Sequence, residues 1–365
     1  MTTRSTFPVR VLVVGPAPAG PASRGGMASV VRLMRDDPDT RFALTTVPTF
    51  VDAHLAVRLW TGVRGMLVAS WAILFGRADV LHVHLAHGGS VVRKAAPLAA
   101  ARLRGVPSVV HGHSFDFSGW LDSRPAPIRR MVRAALRTDH WLVLGTKLAD
   151  EYRRSLQLPA DAVTVLYNPV IIPDATPRPA DRHLTVVALG RLGQRKGTYD
   201  LIRAVHLLPD PVRARLRVVL AGDGEVDQAR SLVSSLQLTD CIEILGWIEP
   251  PARDELLRRA DILALPSYAE GLPMAVLEAM AYGVVPLTTP VGGIPEAVTD
   301  GVDGLLVPPG EPTQLADALH GLAIDDDRRA RLAAAARRRA QEFDVTEWRA
   351  QLARLWLSLT DPPAG

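Results

Sequence analysis

Cysteine is almost missing from this chain: Cys241 is the only one in 365 residues. No intramolecular disulfide and no cysteine-based zinc site can form, and a reducing compartment fits best. Long apolar runs are missing as well. The most apolar stretch, Met66 to Gly76 (MLVASWAILFG), falls well short of the roughly 20 residues needed to span a bilayer. Flanked by Arg64 and Arg77, it reads as a buried helix packed on a sheet in preference to an interfacial one. Met1 to Arg10 holds no apolar segment of signal-peptide length, so export is not expected and a cytoplasmic location is, with the inner face of the membrane as its limit. Aromatic residues make up only 5% of the chain and are not interleaved with basic ones in any nucleic-acid motif, so no nucleic-acid partner is expected.

What is present fits a globular α/β protein: 48% apolar and 22% charged residues, with glycine and proline spread along the chain. The length favours two domains. Residues 1–170 hold 21 Lys and Arg against 11 Asp and Glu, a balance of +10, which leaves −6 for the remainder given the overall +4. A basic first half suits an anionic partner, either a membrane surface or a phosphate-bearing acceptor. Apolar runs at Val9 to Gly15, Asp79 to Leu85, Pro107 to His111 and His140 to Leu144 alternate with helical segments such as Val91 to Leu103 and Ile128 to Leu136, which predicts a parallel sheet wrapped by helices. A Pro-rich passage, Asn168 to Asp181, reads as a linker. The theme then resumes with strands at Leu184 to Leu189, Arg217 to Ala221, Cys241 to Leu245, Ile262 to Leu265 and Val285 to Thr288. Two doubly wound domains in tandem are expected to leave a cleft at the carboxyl ends of their strands. The last segment, Arg328 to Leu359, is helical by pattern with a break near Phe343-Asp344-Val345.

The strongest motif is Glu270-Gly-Leu-Pro-Met-Ala-Val-Leu-Glu278, after the strand ILALP. Pro273 suits a first helical position, so the amides of Gly271, Leu272, Met274 and Ala275 can point at an anion such as a diphosphate. Glu270 then reaches a sugar, and Glu278, further inside the helix, a ribose diol. Gly190-Arg191-Leu-Gly-Gln-Arg-Lys196-Gly197 supplies a guanidinium fork and a mobile ammonium that can neutralise a departing diphosphate without a metal. Ala221-Gly222-Asp223-Gly224 permits close backbone approach, and Arg24-Gly25-Gly26-Met27 precedes a helix over Ala28 to Met34 and leaves amides exposed. Histidines gather at two strand ends, His82-Val-His84 with His87, and His111-Gly-His113. A metal would need three or four convergent ligands, which spacing does not establish. Asp37-Pro-Asp39 reads as a polar turn after a helix, and Asp325-Asp326-Asp327 as a helix N-terminus.

Taken together, the Gly25-Gly26 loop, the histidine-rich strand ends, GRLGQRKG, AGDG, Glu270-x7-Glu278 and Pro290-Val-Gly-Gly-Ile-Pro-Glu296 resemble glycosyltransferase family 4, a retaining GT-B family. The resemblance implies two Rossmann-like doubly wound domains facing across a cleft: an acceptor-binding domain over 1–170, a linker over 171–183, a nucleotide-sugar donor domain over 184–342, and a final helix over 343–365 that packs back on the first domain. It further implies that Arg191 and Lys196 grip the donor diphosphate, that Glu278 binds ribose, that Glu270 and the amides after it hold the sugar, and that Gly25-Gly26 approaches the phosphates. The family's cleft histidine usually precedes a glycine, which fits His111, whereas position relative to Phe115 and Asp116 favours His113. Gly190, Gly222, Trp247 and Ile248 complete the expected donor contacts, the last two near the base.

The expectation is a retaining transfer of a sugar from a nucleotide-diphosphate donor to a hydroxyl acceptor, a saccharide or lipid-linked, in cell-surface polysaccharide or glycolipid assembly. Glu270, His113, Arg191 and Lys196 are the expected catalytic set, with no metal or cofactor and with peripheral contact to an anionic membrane. The alternatives are a phosphorylase or nucleotide-sugar epimerase on the same fold, or a non-catalytic nucleotide-sugar-binding subunit.

Overall fold

Short runs of aliphatic residues buried on both faces form the strands, and the computed structural model pairs them in parallel throughout both sheets. Residues 7–20, 23–174 and 183–360 are described. The chain divides into two compact units, one of Met1–Tyr167 with Thr346–Gly365 and one of Asn168–Val345.

The first unit carries β1 (Val9–Pro16), β2 (Phe42–Phe50), β3 (Val80–Leu85), β4 (Ser108–Gly112), β5 (His140–Val143) and β6 (Val163–Val165), ordered β2-β1-β3-β4-β5-β6. Its helices are α1 (Gly26–Arg35), α2 (Leu55–Leu74), α3 (Gly89–Arg104), α4 (Phe117–Asp122), α5 (Ala126–Ala135) and α6 (Thr146–Leu156). The second unit carries β7 (Leu184–Leu189), β8 (Leu216–Ala221), β9 (Ile242–Gly246), β10 (Ile262–Leu265), β11 (Val285–Thr288) and β12 (Leu305–Leu306), ordered β12-β11-β10-β7-β8-β9. Around it lie α7 (Thr198–Leu207), α8 (Asp210–Arg213), α9 (Val226–Ser235), α10 (Pro250–Arg259), α11 (Met274–Ala281), α12 (Ile294–Ala297), α13 (Pro312–Ile324) and α14 (Asp326–Ala340). In each sheet the winding reverses beside the first strand, between β1 and β3 and between β7 and β10. Such a switch point opens a crevice at the strand ends, where ligands bind in this architecture.

Three strands were not expected from the sequence. β2 is an edge strand with one half-exposed face, so it tolerates Thr45, Thr46 and Pro48 and has no continuous apolar run. β6 and β12 are short edge strands.

The larger correction concerns Met66 to Gly76, expected as a buried helix. This segment closes α2, which packs through its smallest residues, Gly62, Gly65, Ala69 and Ala72 with Ile73, and leaves its largest side chains exposed. A Cβ at Gly65 would collide with the Pro48 carbonyl, so the glycine sets how closely α2 lies on β2. Among the described residues, no helix is long and apolar enough to cross a membrane.

The final helix, α15 (Val345–Thr360), follows a break at Gln341–Phe343. Within the first unit, the buried Trp356 donates from Nε1 to His82 Nδ1 at 3.3 Å and meets Phe42 edge-on at 5.2 Å, while Arg349 Nη2 donates to the Leu33 carbonyl at 2.7 Å. The expected linker over 171–183 falls mainly on 175–182, outside the described residues. Before it, Val170 and the 343–345 segment exchange backbone hydrogen bonds of 2.8 and 2.9 Å. The acidic run caps a helix as read: Asp325 accepts from the Arg328 amide at 2.8 Å at the start of α14. Asp39 of the Asp37-Pro-Asp39 turn pairs with Arg41.

Candidate functional site

In the second unit, the loops after β7, β8 and β10 are knitted into one surface at the switch point. Gly222 sits against the Gly190 carbonyl so closely that a Cβ there would overlap it, and the Gly222 amide donates to the Gly246 carbonyl at 2.7 Å. Leu192 donates to the Asp223 carbonyl at 2.6 Å and accepts from Glu225 at 3.0 Å. The observed work of Gly222 is therefore to bring two strand ends together. Gly197, at φ 70°, occupies the left-handed region and lies against the Pro266 carbonyl, another position where a side chain would not fit.

This packing gathers the expected basic residues. Gly190, Arg191, Lys196, Thr198 and Pro266 line a small pocket. Arg191 is exposed and, among the described residues, makes no hydrogen bond or ion pair, so its guanidinium is uncommitted. Lys196 differs from the mobile point charge expected of it. Its side chain lies over Gly190, and Nζ rests 2.6 Å from Oε1 of Glu270, an ionic contact whose angles do not make a hydrogen bond. Arg195, which the sequence did not single out, stands 3.6 Å from the same oxygen and donates to the Ala269 carbonyl at 2.8 Å. The Glu270 carboxylate is almost wholly buried.

The loop from Glu270 to Pro273 turns its carbonyls inward. The Gly271 carbonyl accepts from Gly293 at 2.6 Å, the Leu272 carbonyl from Asn168 Nδ2 at 2.6 Å, and the Pro273 carbonyl from Val276 at 3.1 Å. Gly292, at φ 57°, presses against the Glu270 carbonyl where a Cβ would overlap it. Helix α11 starts at Met274 with Pro273 as its cap residue, one position later than expected, and no side chain caps it. The amides of Gly271, Leu272, Met274 and Ala275 make no hydrogen bond to a described residue. An uncapped helix start with free amides attracts negative charge.

Glu278, inside α11, is held by Arg253 of α10 through a 2.7 Å salt bridge. Burial pulls the Arg253 pKa down, but Glu278 and Asp254 outweigh it and hold the guanidinium above its ordinary value. Arg253 escaped the sequence reading because only the fold brings α10 beside α11. Trp247 and Ile248, half-buried, follow β9, and Trp247 Nε1 donates to Glu249 at 3.4 Å.

In the first unit, Gly25 at φ 94° leads into α1, which starts at Gly26 without a side-chain cap. The Arg24 amide donates to Asp52 at 2.6 Å and fixes the approach to the helix. His82, His84 and His111 are fully buried on one sheet face, whereas His113 stands just past β4 and is half-buried. His87 meets Ser114 Oγ at 2.6 Å. His84 Nε2 lies 3.2 Å from Met34 Sδ, and His84 Nδ1 lies 2.8 Å from His113 Nε2. A thioether only accepts, so His84 carries its proton on Nε2, accepts from His113 on Nδ1, and leaves the Nδ1 lone pair of His113 available. Burial lowers all four pKa values, that of the fully buried His82 to about 3, which favours neutral rings throughout the cluster.

His82, His84 and His111 bring ring nitrogens within 4.8 Å of one another, close enough to suggest a metal. Both nitrogens of His84 are engaged, however, and only His82 Nε2 and the His111 nitrogens lack partners. Two uncommitted rings fall short of the three protein ligands of a typical site.

Residues 8–172 match the profile of Glycosyltransferase Family 4, and residues 175–339 that of Glycosyl transferases group 1. The chain belongs to glycosyltransferase family 4. It is similar to the D-inositol 3-phosphate glycosyltransferase of Corynebacterium jeikeium, with 36% identity over 184 residues, 48% of this chain and 43% of that one. The chain thus spans less than half the length of that relative. WcaL of Escherichia coli K12, whose name places it in colanic acid biosynthesis, is 28% identical over 78% of this chain and 71% of its own. Among solved structures, Anabaena Alr3699/HepE in complex with UDP superposes with a TM-score of 0.76 at 19% identity, covering 96% of this chain and 100% of that chain. WaaG, a glycosyltransferase involved in lipopolysaccharide biosynthesis, superposes at 0.68 and 17% identity, covering 95% and 99%. These likenesses establish the GT-B family fold, with two Rossmann-like domains.

Proposed function

We propose that this family 4 chain is a retaining glycosyltransferase that moves a sugar from a nucleotide-diphosphate donor to the hydroxyl of a saccharide or lipid-linked acceptor, in the assembly of a cell-surface glycan. The observation that carries the reading is that Arg191 and Lys196 line one pocket while Lys196 Nζ meets Glu270, whose loop leads into an uncapped helix start. Together these supply an uncommitted guanidinium, an ammonium and free amides for a diphosphate, with a carboxylate beside the ammonium for sugar hydroxyls.

The acceptor oxygen attacks the anomeric carbon from the face of the leaving group. The carbon–oxygen bond to the diphosphate breaks as the new glycosidic bond forms, and the acceptor's proton passes to the departing phosphate oxygen. No protein base is required. Arg191, Lys196 and the amides after Glu270 stabilise the leaving diphosphate without a metal, and charge stabilisation of this kind is a large part of catalysis. When the diphosphate takes Lys196, Glu270 is released to orient sugar hydroxyls, and Glu278 accepts the ribose diol. Trp247 and Ile248 border the base. In the first unit, the amides after Gly25-Gly26 suit a phosphate and the Nδ1 lone pair of His113 suits a hydroxyl.

Thermal melts with UDP, GDP and ADP, with and without divalent metal, test the donor site, because a ligand that binds the native state raises the melting temperature by mass action. The expected result is a rise with one nucleotide that needs no metal and is lost in Arg191→Ala. No rise with any of the three would reject the donor reading. A sugar-transfer assay with that donor then separates glycoside formation from epimerisation or phosphorolysis.

A further inference from the structure

The apolar side chains of α2 are on the wrong side for a core. Trp60 is 67% exposed, Leu67 61% and Phe75, just past the helix, 67%, and Leu59, Val63, Trp71 and Leu74 continue the same surface. Their spacing of three and four residues sets them along one stripe opposite Gly62, Gly65, Ala69 and Ala72, which face β2 and α3. The helix runs about 30 Å at 1.5 Å per residue, far longer than the scattered exposed apolar residues of an ordinary soluble surface.

The charge of the neighbouring helices narrows what this face suits. Gly62 packs against the Arg93 side chain of α3, and Arg102 of α3 donates to the carbonyls of Ala135 and Arg137 at the end of α5, so α2, α3 and α5 form one continuous layer. These three helices contain nine Lys and Arg and no Asp or Glu. Val92, Leu103 and Met131 are exposed among the arginines. Arg77 stacks over the Trp71 ring at 4.3 Å, so a cation lies directly beside an exposed indole.

We propose that the α2 face, rimmed by the arginines of α3 and α5, docks on the surface of an anionic phospholipid bilayer. Indoles and aliphatic side chains enter the headgroup boundary while the arginines meet lipid phosphates, a combination in which apolar burial and charge attraction add. A second copy of the chain fits poorly. A two-fold contact would set this surface against itself, arginine rim on arginine rim, with no acid in the three helices to neutralise either. The docking goes beyond the donor reading and does not rest on it, since every residue involved lies in the first unit.

Co-sedimentation of the full chain with phosphatidylcholine vesicles, with and without phosphatidylglycerol, tests the proposal. The expected outcome is binding to the anionic vesicles that weakens as salt rises. The triple variant Trp60→Ser, Leu67→Ser, Trp71→Ser is expected to bind at least roughly tenfold more weakly, because it removes the inserted apolar surface. Arg64→Gln with Arg77→Gln should weaken binding to anionic vesicles only. All these side chains are exposed, so melting temperatures and any nucleotide-induced shift should stay at wild-type values. Wild-type protein that remains in the supernatant with anionic vesicles at low salt would overturn the proposal. So would a wild-type dimer in light scattering that the triple variant renders monomeric while vesicles bind neither form.

Discussion

Lys196 Nζ and Glu270 Oε1 lie 2.6 Å apart, joining the turn after β7 to the loop after β10. With Arg195 3.6 Å from the same oxygen, the protein neutralises its own cation before any ligand arrives. An anion that takes Lys196 must displace this carboxylate.

Glu270→Gln therefore should tighten binding of the bare nucleoside diphosphate by a few-fold and depress sugar transfer far more. Lys196→Met should weaken nucleotide binding by about 10- to 100-fold, the worth of one hydrogen bond to a charged group. Titration calorimetry with the nucleotide that raises the melting temperature measures both. Unchanged turnover in Glu270→Gln would remove that residue from the site.

Gly292 touches the Glu270 carbonyl from a left-handed backbone conformation. Gly292→Ala adds a methyl group where there is no room, and should lower stability by about 1–3 kcal/mol, the typical cost of a strained backbone position. Because the displaced segment carries Glu270, sugar-donor affinity should fall more than affinity for the nucleotide alone. Calorimetric melting and paired titrations check the two parts.

The histidine cluster predicts an acid response. Burial holds His82 near a pKa of about 3 and lowers the equally buried His84 and His111 well below the ordinary value, while the half-exposed His113 is lowered in the same direction. Between about pH 6.5 and that folded-state range the unfolded chain binds protons at these histidines that the native chain does not, so they lower stability as pH drops through this window and add no pH dependence above it. Each histidine contributes up to about 1.4 kcal/mol per pH unit. Denaturant melts at pH 7, 6 and 5 should show the loss, and His111→Leu should flatten its slope.

Lys94, buried in α3, donates from Nζ to Thr49 Oγ1, and burial brings its pKa down to about 7. The native chain then binds fewer protons than the unfolded one between about pH 7 and 10.5, and stability rises with pH across that interval. Lys94→Met should stabilise the protein by about 1–3 kcal/mol at neutral pH, as when a buried charge gives way to an apolar side chain, and the gain should shrink toward pH 10. Thr49 keeps its 3.0 Å bond to the Gly15 carbonyl, so the variant strands no polar partner. Melting temperatures at pH 7 and pH 10 provide the comparison.

Much of the second unit was readable from sequence, because a buried parallel strand is a short apolar run and its exit is marked by glycine. Leu184 to Leu189, Ile262 to Leu265 and Val285 to Thr288 fall where expected. Contacts between distant segments were not readable: nothing local to Arg253 or Arg195 says that it will meet Glu278 or Glu270. The reading of α2 failed for another reason. The amount of apolar surface in a helix does not say which side packs, whereas the recurrence of Gly62, Gly65, Ala69 and Ala72 does, and that stripe was present in the sequence. Of the two histidines left open, His111 is fully buried, and His113 alone reaches the end of its strand half-exposed.

The first unit is completed by α15, whose Trp356 fills a place beside His82 and Phe42. During synthesis the amino-terminal sheet therefore waits for a segment translated after the whole of residues 168–345. The second unit is contiguous and can fold as it emerges. The first must hold an unfilled slot against its sheet until the last helix leaves the ribosome, so a ribosome stalled before α15 should carry a folded second unit and a protease-sensitive first one.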